Sequence, residues 1–142
     1  MSGAIEYRTG DIPDRDALAD LYNSVQWAHA DKPESLHKAV SQSGWVVTAW
    51  HEDTLVGLAR VLTDGVFVAY FQEMLVHPDY QHQGVGKELL DHYDREFGEF
   101  QDQVAITDAD WAKKKLSKRG FQVEPAALSR TRPLTARVST QD

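Results

Sequence analysis

The chain has 142 residues, a formal net charge of −7 and no cysteine. That length fits a single domain, 1–142, able to bury its own core. The missing cysteine excludes a disulfide framework, a thiolate metal site and a cysteine nucleophile. The acidic balance disfavours nonspecific binding to nucleic acid or to an anionic membrane, and suits a cationic small molecule such as an amine. No apolar run is long enough for a transmembrane helix, and residues 1–10 lack the apolar stretch of a secretory signal, so a cytoplasmic location is expected.

In chain order, residues 5–8 read as a short strand. Asp11 and Pro13 announce a helix, and Ala17, Leu18, Leu21, Tyr22 and Val25 recur at helical spacing. Residues 27–32 read as a loop. Pro33 opens a second helix with Leu36, Ala39 and Val40 inward and Gly44 at its end. Aromatic and β-branched residues predict strands over 45–50 and 55–62, joined by a polar turn at 51–54. Asp64-Gly65 predicts a tight hairpin into a long strand over 66–76, which Pro78 ends. From 84 to 97, Val85, Leu89, Leu90, Tyr93 and Phe97 form one apolar stripe, the clearest amphipathic helix in the chain. A strand over 104–107, a helix over 109–118, a strand over 121–123 and an edge strand over 128–132 complete the expectation. The fold class is α/β: a mixed, mostly antiparallel sheet with helices on both faces.

The chemistry concentrates in Gln81-His82-Gln83-Gly84-Val85-Gly86-Lys87, between a strand end and a helix start. The first amides of a helix lack internal partners, and its dipole makes that end positive. Glycines let a ligand approach closely, so the loop suits a phosphate or pyrophosphate. A Walker loop is excluded because Gln81 and Glu88 stand where a glycine and a hydroxyl are needed. A dinucleotide fingerprint lacks its third glycine near Leu89.

Gln81, Gly84 and Gly86 instead match Arg/Gln-x-x-Gly-x-Gly/Ala, and the loop resembles the acyl-CoA pyrophosphate loop of the GNAT superfamily of N-acyltransferases. Glu73-Met74-Leu75-Val76-His77-Pro78-Asp79-Tyr80 is similar to the strand and turn before that loop. Gly120-Phe121 resembles the family's landmark after its last helix. The resemblance implies the GNAT fold, acetyl-CoA as co-substrate and acetyl transfer to a primary amine by direct attack on the thioester. It implies that the backbone of Met74, Leu75 and Val76 pairs with the pantetheine arm. The amides from Gln83 through Gly84, Val85 and Gly86 to Lys87 hold the pyrophosphate, with Gln81 and His82 as further contacts. Two other readings stay open: an acyl-CoA-binding sensor of GNAT fold, and a protein or peptide N-acetyltransferase. Dimers are frequent in the family, so a homodimer is among the assemblies it allows.

Amine acylation needs a proton acceptor, and Glu73 is the candidate by chemistry. Regular alternation puts Glu73 and Leu75 on one face of the strand and Tyr70, Gln72 and Met74 on the other. If the second face meets the substrate, Tyr70 and Gln72 line the site instead. The tyrosine that many relatives carry before the Gly-Phe landmark, proposed to protonate the leaving thiolate, is Leu116 here. Ser117 and Tyr80 are the substitutes considered. Trp27, His29 and Asp31 fall where the family shapes its acceptor pocket. Lys113, Lys114, Lys115, Lys118 and Arg119 form a basic cluster, read either as a contact for the nucleotide 3′-phosphate or as a solvated face. The six histidines form no helical pair, so no metal is expected.

Overall fold

A computed structural model of the chain describes residues 3–107, 109–125 and 128–130. Five strands form one sheet in the order β1-β2-β3-β4-β5, where β1 is Ile5–Thr9, β2 Trp45–His51, β3 Thr54–Thr63, β4 Val68–Val76 and β5 Asp102–Ala105. The first four pair antiparallel, and β4 pairs with β5 in parallel. The helices are α1 (Arg15–Ser24), α2 (Pro33–Ser41), α3 (Val85–Phe97) and α4 (Asp110–Ser117). Among the described residues no helix is long and apolar enough to cross a membrane.

The sheet is buried on both faces. On one, Leu18, Leu21 and Tyr22 of α1 and Leu36 and Val40 of α2 pack against Val46, Leu58 and Leu75. On the other, the stripe Val85, Leu89, Leu90, Tyr93 and Phe97 of α3 packs against Val47, Ala59, Val61 and Phe71. Gly57 on β3 sets how close α3 comes. A Cβ there would lie 3.1 Å from Val85 Cγ1, 3.3 Å from Ala49 Cβ and 3.4 Å from Leu89 Cδ1. The bare backbone lets the first turn of α3 rest directly on the sheet.

Local chemistry moves several predicted boundaries. Asp14, not Asp11, caps α1: its Oδ1 accepts the Ala17 N–H at 2.8 Å. Residues 27–32 contain a 3₁₀ turn, Ala28–Asp31, rather than an unstructured loop. The hairpin after β3 has a four-residue loop. Asp64 Oδ1 accepts the N–H groups of Val66, Phe67 and Val68 at 2.9, 2.8 and 3.1 Å, so β4 starts at Val68 and not at 66. Those donors hold the Asp64 carboxyl below its ordinary value, the Val66 N–H contributing most. Strand β5 sits two residues earlier than expected.

The strand predicted over 121–123 is absent. Gly120 (φ +98°) and Phe121 instead close α4 in a Schellman motif, with Gly120 N–H to Ser117 O and Phe121 N–H to Leu116 O, both 3.1 Å. Phe121 then packs on the α3-side core. Leu128, Ser129 and Arg130 have no regular structure, and the rest of the predicted edge strand over 128–132 lies outside the described residues.

Candidate functional site

The sheet splits beside β4. The β4–β5 ladder runs from Val68↔Asp102 to Phe71↔Ala105 and stops. On the other side β4 stays paired with β3 as far as Val76, so its β5-facing edge is open beyond Phe71. A register shift lies at the same point: Arg60 pairs with Glu73 and Val61 with Phe71, leaving Gln72 as a bulge residue. The bulge breaks the regular alternation expected of this strand. Phe71 and Met74 both pack on the α3 side, while Glu73 and Leu75 turn to the α1–α2 side. The single-face grouping of Tyr70, Gln72 and Met74 is thereby corrected.

An open cavity of about 320 Å³ occupies the split. Its walls include Phe71, Gln72, Glu73 and Met74 of β4, Leu90 of α3, Trp27, and Trp111, Lys115 and Leu116 of α4. Of the residues singled out by sequence, the structure brings Trp27, Gln72, Glu73, Met74, Lys115 and Leu116 to one cavity. Tyr70 does not line it, and neither do His29, Ser117 or Tyr80. The Tyr80 hydroxyl lies 2.6 Å from His51 Nδ1. His29 is exposed, its ring 6.4 Å from that of Trp27.

Glu73 sits in a buried network drawn from four elements. Arg60 of β3 donates from Nε to Glu73 Oε2 at 2.7 Å and from Nη1 to Ser43 Oγ at 3.1 Å. The Tyr22 hydroxyl of α1 donates to the same Oε2. Ser43 Oγ in turn donates to Ala39 O at 2.7 Å. Arg60 is 8% and Glu73 9% exposed. Burial, the Glu73 charge and the hydrogen bond to it all push the Tyr22 phenol well above its ordinary value, so Tyr22 stays a donor. Burial opposes the Arg60 charge, but the charge of Glu73 and its hydrogen bond raise the guanidinium pKa overall. Glu73 Oε1 has no hydrogen-bond partner among the described residues. Arg60 and Tyr22 are functional residues that the sequence motifs do not single out. The available signal was an arginine in the middle of the apolar run Leu58-Ala59-Arg60-Val61-Leu62, since a buried charge needs a partner.

Beyond the open edge, the chain passes through a 3₁₀ turn, Pro78–Tyr80, into the glycine loop. His82 (φ +63°) and Gly84 (φ +89°) are left-handed. Gly84 is the N-cap of α3 and has no side chain to cap it. The N–H groups from His82 to Lys87 find no acceptor among the described residues, and the first helical bond of this end is Glu88 N–H to Gly84 O at 3.0 Å. This is a row of free donors at the positive end of a helix. Gln81 and Gln83 brace the loop with side-chain amides donating to Val76 O (3.0 Å) and Asp79 O (3.1 Å). Lys87 pairs with Asp91 at 2.9 Å. In the basic cluster, Arg119 is tied to Asp91 at 3.0 Å and Asp94 at 2.5 Å, whereas Lys113, Lys114 and Lys118 are exposed. Among the described residues no group of three or more His, Asp or Glu side chains could hold a metal ion.

The acetyltransferase (GNAT) family model matches residues 14–115, from the cap of α1 into α4. The chain belongs to the GNAT acetyltransferase family. Among curated proteins, an uncharacterized N-acetyltransferase ycf52-like of Prochlorococcus marinus is 35% identical over 80 residues, 53% of this GNAT chain and 43% of that protein. The chain thus spans less than half the length of that relative. Among solved structures, a GNAT-family acetyltransferase of Streptococcus pneumoniae TIGR4 superposes with TM-score 0.75 and 25% identity over 94% of this chain and 100% of that one. The aminoglycoside N-acetyltransferase AAC(6')-Iy, solved in complex with CoA, shares the GNAT fold at TM-score 0.68 and 16% identity, over 92% of this chain and 96% of its own.

Proposed function

We propose that this GNAT protein transfers an acetyl group from acetyl-CoA to a primary amine of a small molecule. The observation that carries the reading is the junction of three features: free loop amides from His82 to Lys87, a β4 edge open beyond Phe71, and a cavity leading from that edge to Glu73. The amides suit a pyrophosphate. The open edge suits an extended arm that pairs with Met74–Val76 as an added strand. The CoA complex of AAC(6')-Iy supports acetyl-CoA as the donor, and that protein's activity on aminoglycosides supports a small amine as acceptor.

In this reading the acceptor nitrogen meets Glu73 Oε1, which takes its proton, while Arg60 and Tyr22 hold Oε2 in place. The amine attacks the thioester carbon directly, and a backbone N–H of the open edge steadies the oxyanion. No phenol stands at Leu116 to protonate the departing sulfur. With a thiol pKa of about 8.5, the thiolate leaves unaided. A general acid is worth roughly 10²- to 10⁴-fold, so its absence slows turnover rather than stopping it. Leu116 also favours a second reading, an acyl-CoA-binding protein with little catalysis. Acetyl transfer to any amine well above background refutes that one.

The test is calorimetric titration with acetyl-CoA of the wild type and Gly86→Glu. A Cβ at Gly86 meets only Met74 Cε at 3.5 Å, an ordinary contact, so the variant should fold. Its carboxylate stands among the loop amides and repels a phosphate. Binding that the variant loses supports the reading. Equal binding by both moves the pyrophosphate away from this loop, and no binding by the folded wild type overturns the function.

A further inference from the structure

One residue of the cavity wall, Trp27, carries a buried polar atom that is left unsatisfied among the described residues. Trp27 Nε1 is fully buried and has no hydrogen-bond partner among the described residues. A buried donor without an acceptor is destabilising, and native structures rarely keep one without reason.

The position of this indole is fixed by the backbone. Gln26 is a non-glycine residue in the left-handed region (φ +63°). It closes α1 in a Schellman motif, with Gln26 N–H to Asn23 O at 2.9 Å and Trp27 N–H to Tyr22 O at 3.1 Å. The Ala30 N–H then donates to the Trp27 carbonyl at 3.1 Å. A side chain in the left-handed region is strained where glycine is not. After this turn Trp27 lies against Tyr22, ring centroids 5.7 Å apart, and lines the cavity. Tyr22 is also the residue whose hydroxyl holds Glu73, so the Trp27 ring and the Glu73 carboxylate both meet one tyrosine.

We propose that the Trp27 indole N–H is a specificity donor for the acceptor substrate, which is therefore an amine that also carries a hydroxyl or carbonyl oxygen. This rests on the reading of the cavity as the acyl-transfer site and goes beyond it by naming the acceptor's second functional group. Glu73 Oε1 meets the nitrogen, and Trp27 Nε1–H donates to the oxygen. Nε1 itself has no exposed surface, so the indole shifts slightly to engage. Trp27 as a whole is only half-buried and borders the cavity, where such a shift has room. A site built to hydrogen-bond an oxygen rejects the analogue that lacks it, because its donor is then left unpaired. Plain alkylamines are accordingly poor substrates.

The experiment pairs each oxygenated amine with its bare counterpart: ethanolamine with ethylamine, and glucosamine with cyclohexylamine. Acetyl transfer is measured for the wild type, Trp27→Phe, which keeps a ring without the N–H, and Trp27→His, which restores a ring donor. The wild type should favour the oxygenated member of a pair by about ten-fold or more in kcat/KM. Trp27→Phe should lose about ten-fold more for that member than for the bare amine, through KM, and bind acetyl-CoA as before, and Trp27→His should recover part of the preference. A wild type without the preference overturns the inference even if neither variant folds. So does a Trp27→Phe variant that loses equally on both members, or that keeps the preference and melts higher. Acetyl-CoA binding by none of the folded proteins overturns the transfer reading itself, and this inference with it.

Discussion

Replacing Arg60 by Met tests whether Glu73 depends on its buried partner. The pair meets at 2.7 Å with side chains only 10% and 6% exposed. Without Arg60, the carboxylate keeps Tyr22 as its one donor, and Ser43 Oγ loses the Nη1 bond. Removing one member of such a pair costs about 3–5 kcal/mol, because the other charge stays buried and unmatched. With an m-value of about 2 kcal/mol/M, that loss lowers the urea midpoint by roughly 2 M. Glu73→Met alone strands the guanidinium in the same way. The double variant carries no stranded charge, so it should be more stable than the sum of the two losses predicts, with a coupling of about 2–3 kcal/mol. Tryptophan fluorescence in urea measures all four proteins. A single-variant loss below about 1 kcal/mol, or strict additivity, would refute the pairing as the feature that lets Glu73 be buried charged.

Gly57→Ala should cost about 1–3 kcal/mol by overpacking against Val85 and Ala49 and weaken acetyl-CoA binding by lifting the first turn of α3; unchanged denaturation and titration curves would contradict this. Asp64→Ala should lower the urea midpoint at neutral pH. The folded Asp64 carboxyl lies below its ordinary value of about 3.9, so its stabilisation is present above that pH and is lost as pH falls through the folded value. The gap between variant and wild type should therefore close below about pH 4, and a gap that persists in stronger acid would assign the effect to something other than the charge. Leu116→Tyr places a phenol on the cavity wall and should raise kcat roughly ten-fold or more below the thiol pKa; unchanged kcat with intact acetyl-CoA binding would mean that protonation of the sulfur does not limit turnover.

What the sequence reveals is what neighbouring residues decide. The apolar period of α3 and the glycines before it are local signals, and both the helix and its row of free amides stand where those signals put them. Three features escape a local reading. The length of the hairpin after β3 depends on one carboxylate collecting three amides, which Asp64-Gly65 does not announce. The bulge at Gln72 reverses which residues share a face, and alternation assumes that no bulge exists. The setting of Glu73 is made by residues 13 and 51 positions away on other elements. Phe121 misleads in a different way: an aromatic beyond the helix end reads as a strand start, but here it completes the helix stop at Gly120 and serves as a hydrophobic plug.

The two walls of the cavity differ in what holds them. On the Glu73 side, Tyr22 grips Trp27 with its carbonyl and Glu73 with its hydroxyl, and its own ring has no exposure. Any fraying of the last turn of α1 would disturb both groups together, so that wall moves only at the expense of the core. On the other side α4 has no fully buried residue and rests on the half-buried Leu116 and, just beyond its end, on Phe121 and the ion pairs of Arg119. Local opening follows the fewest buried contacts. The site is therefore a fixed jaw and a loose one: where its walls must yield to an acceptor, α4 yields first.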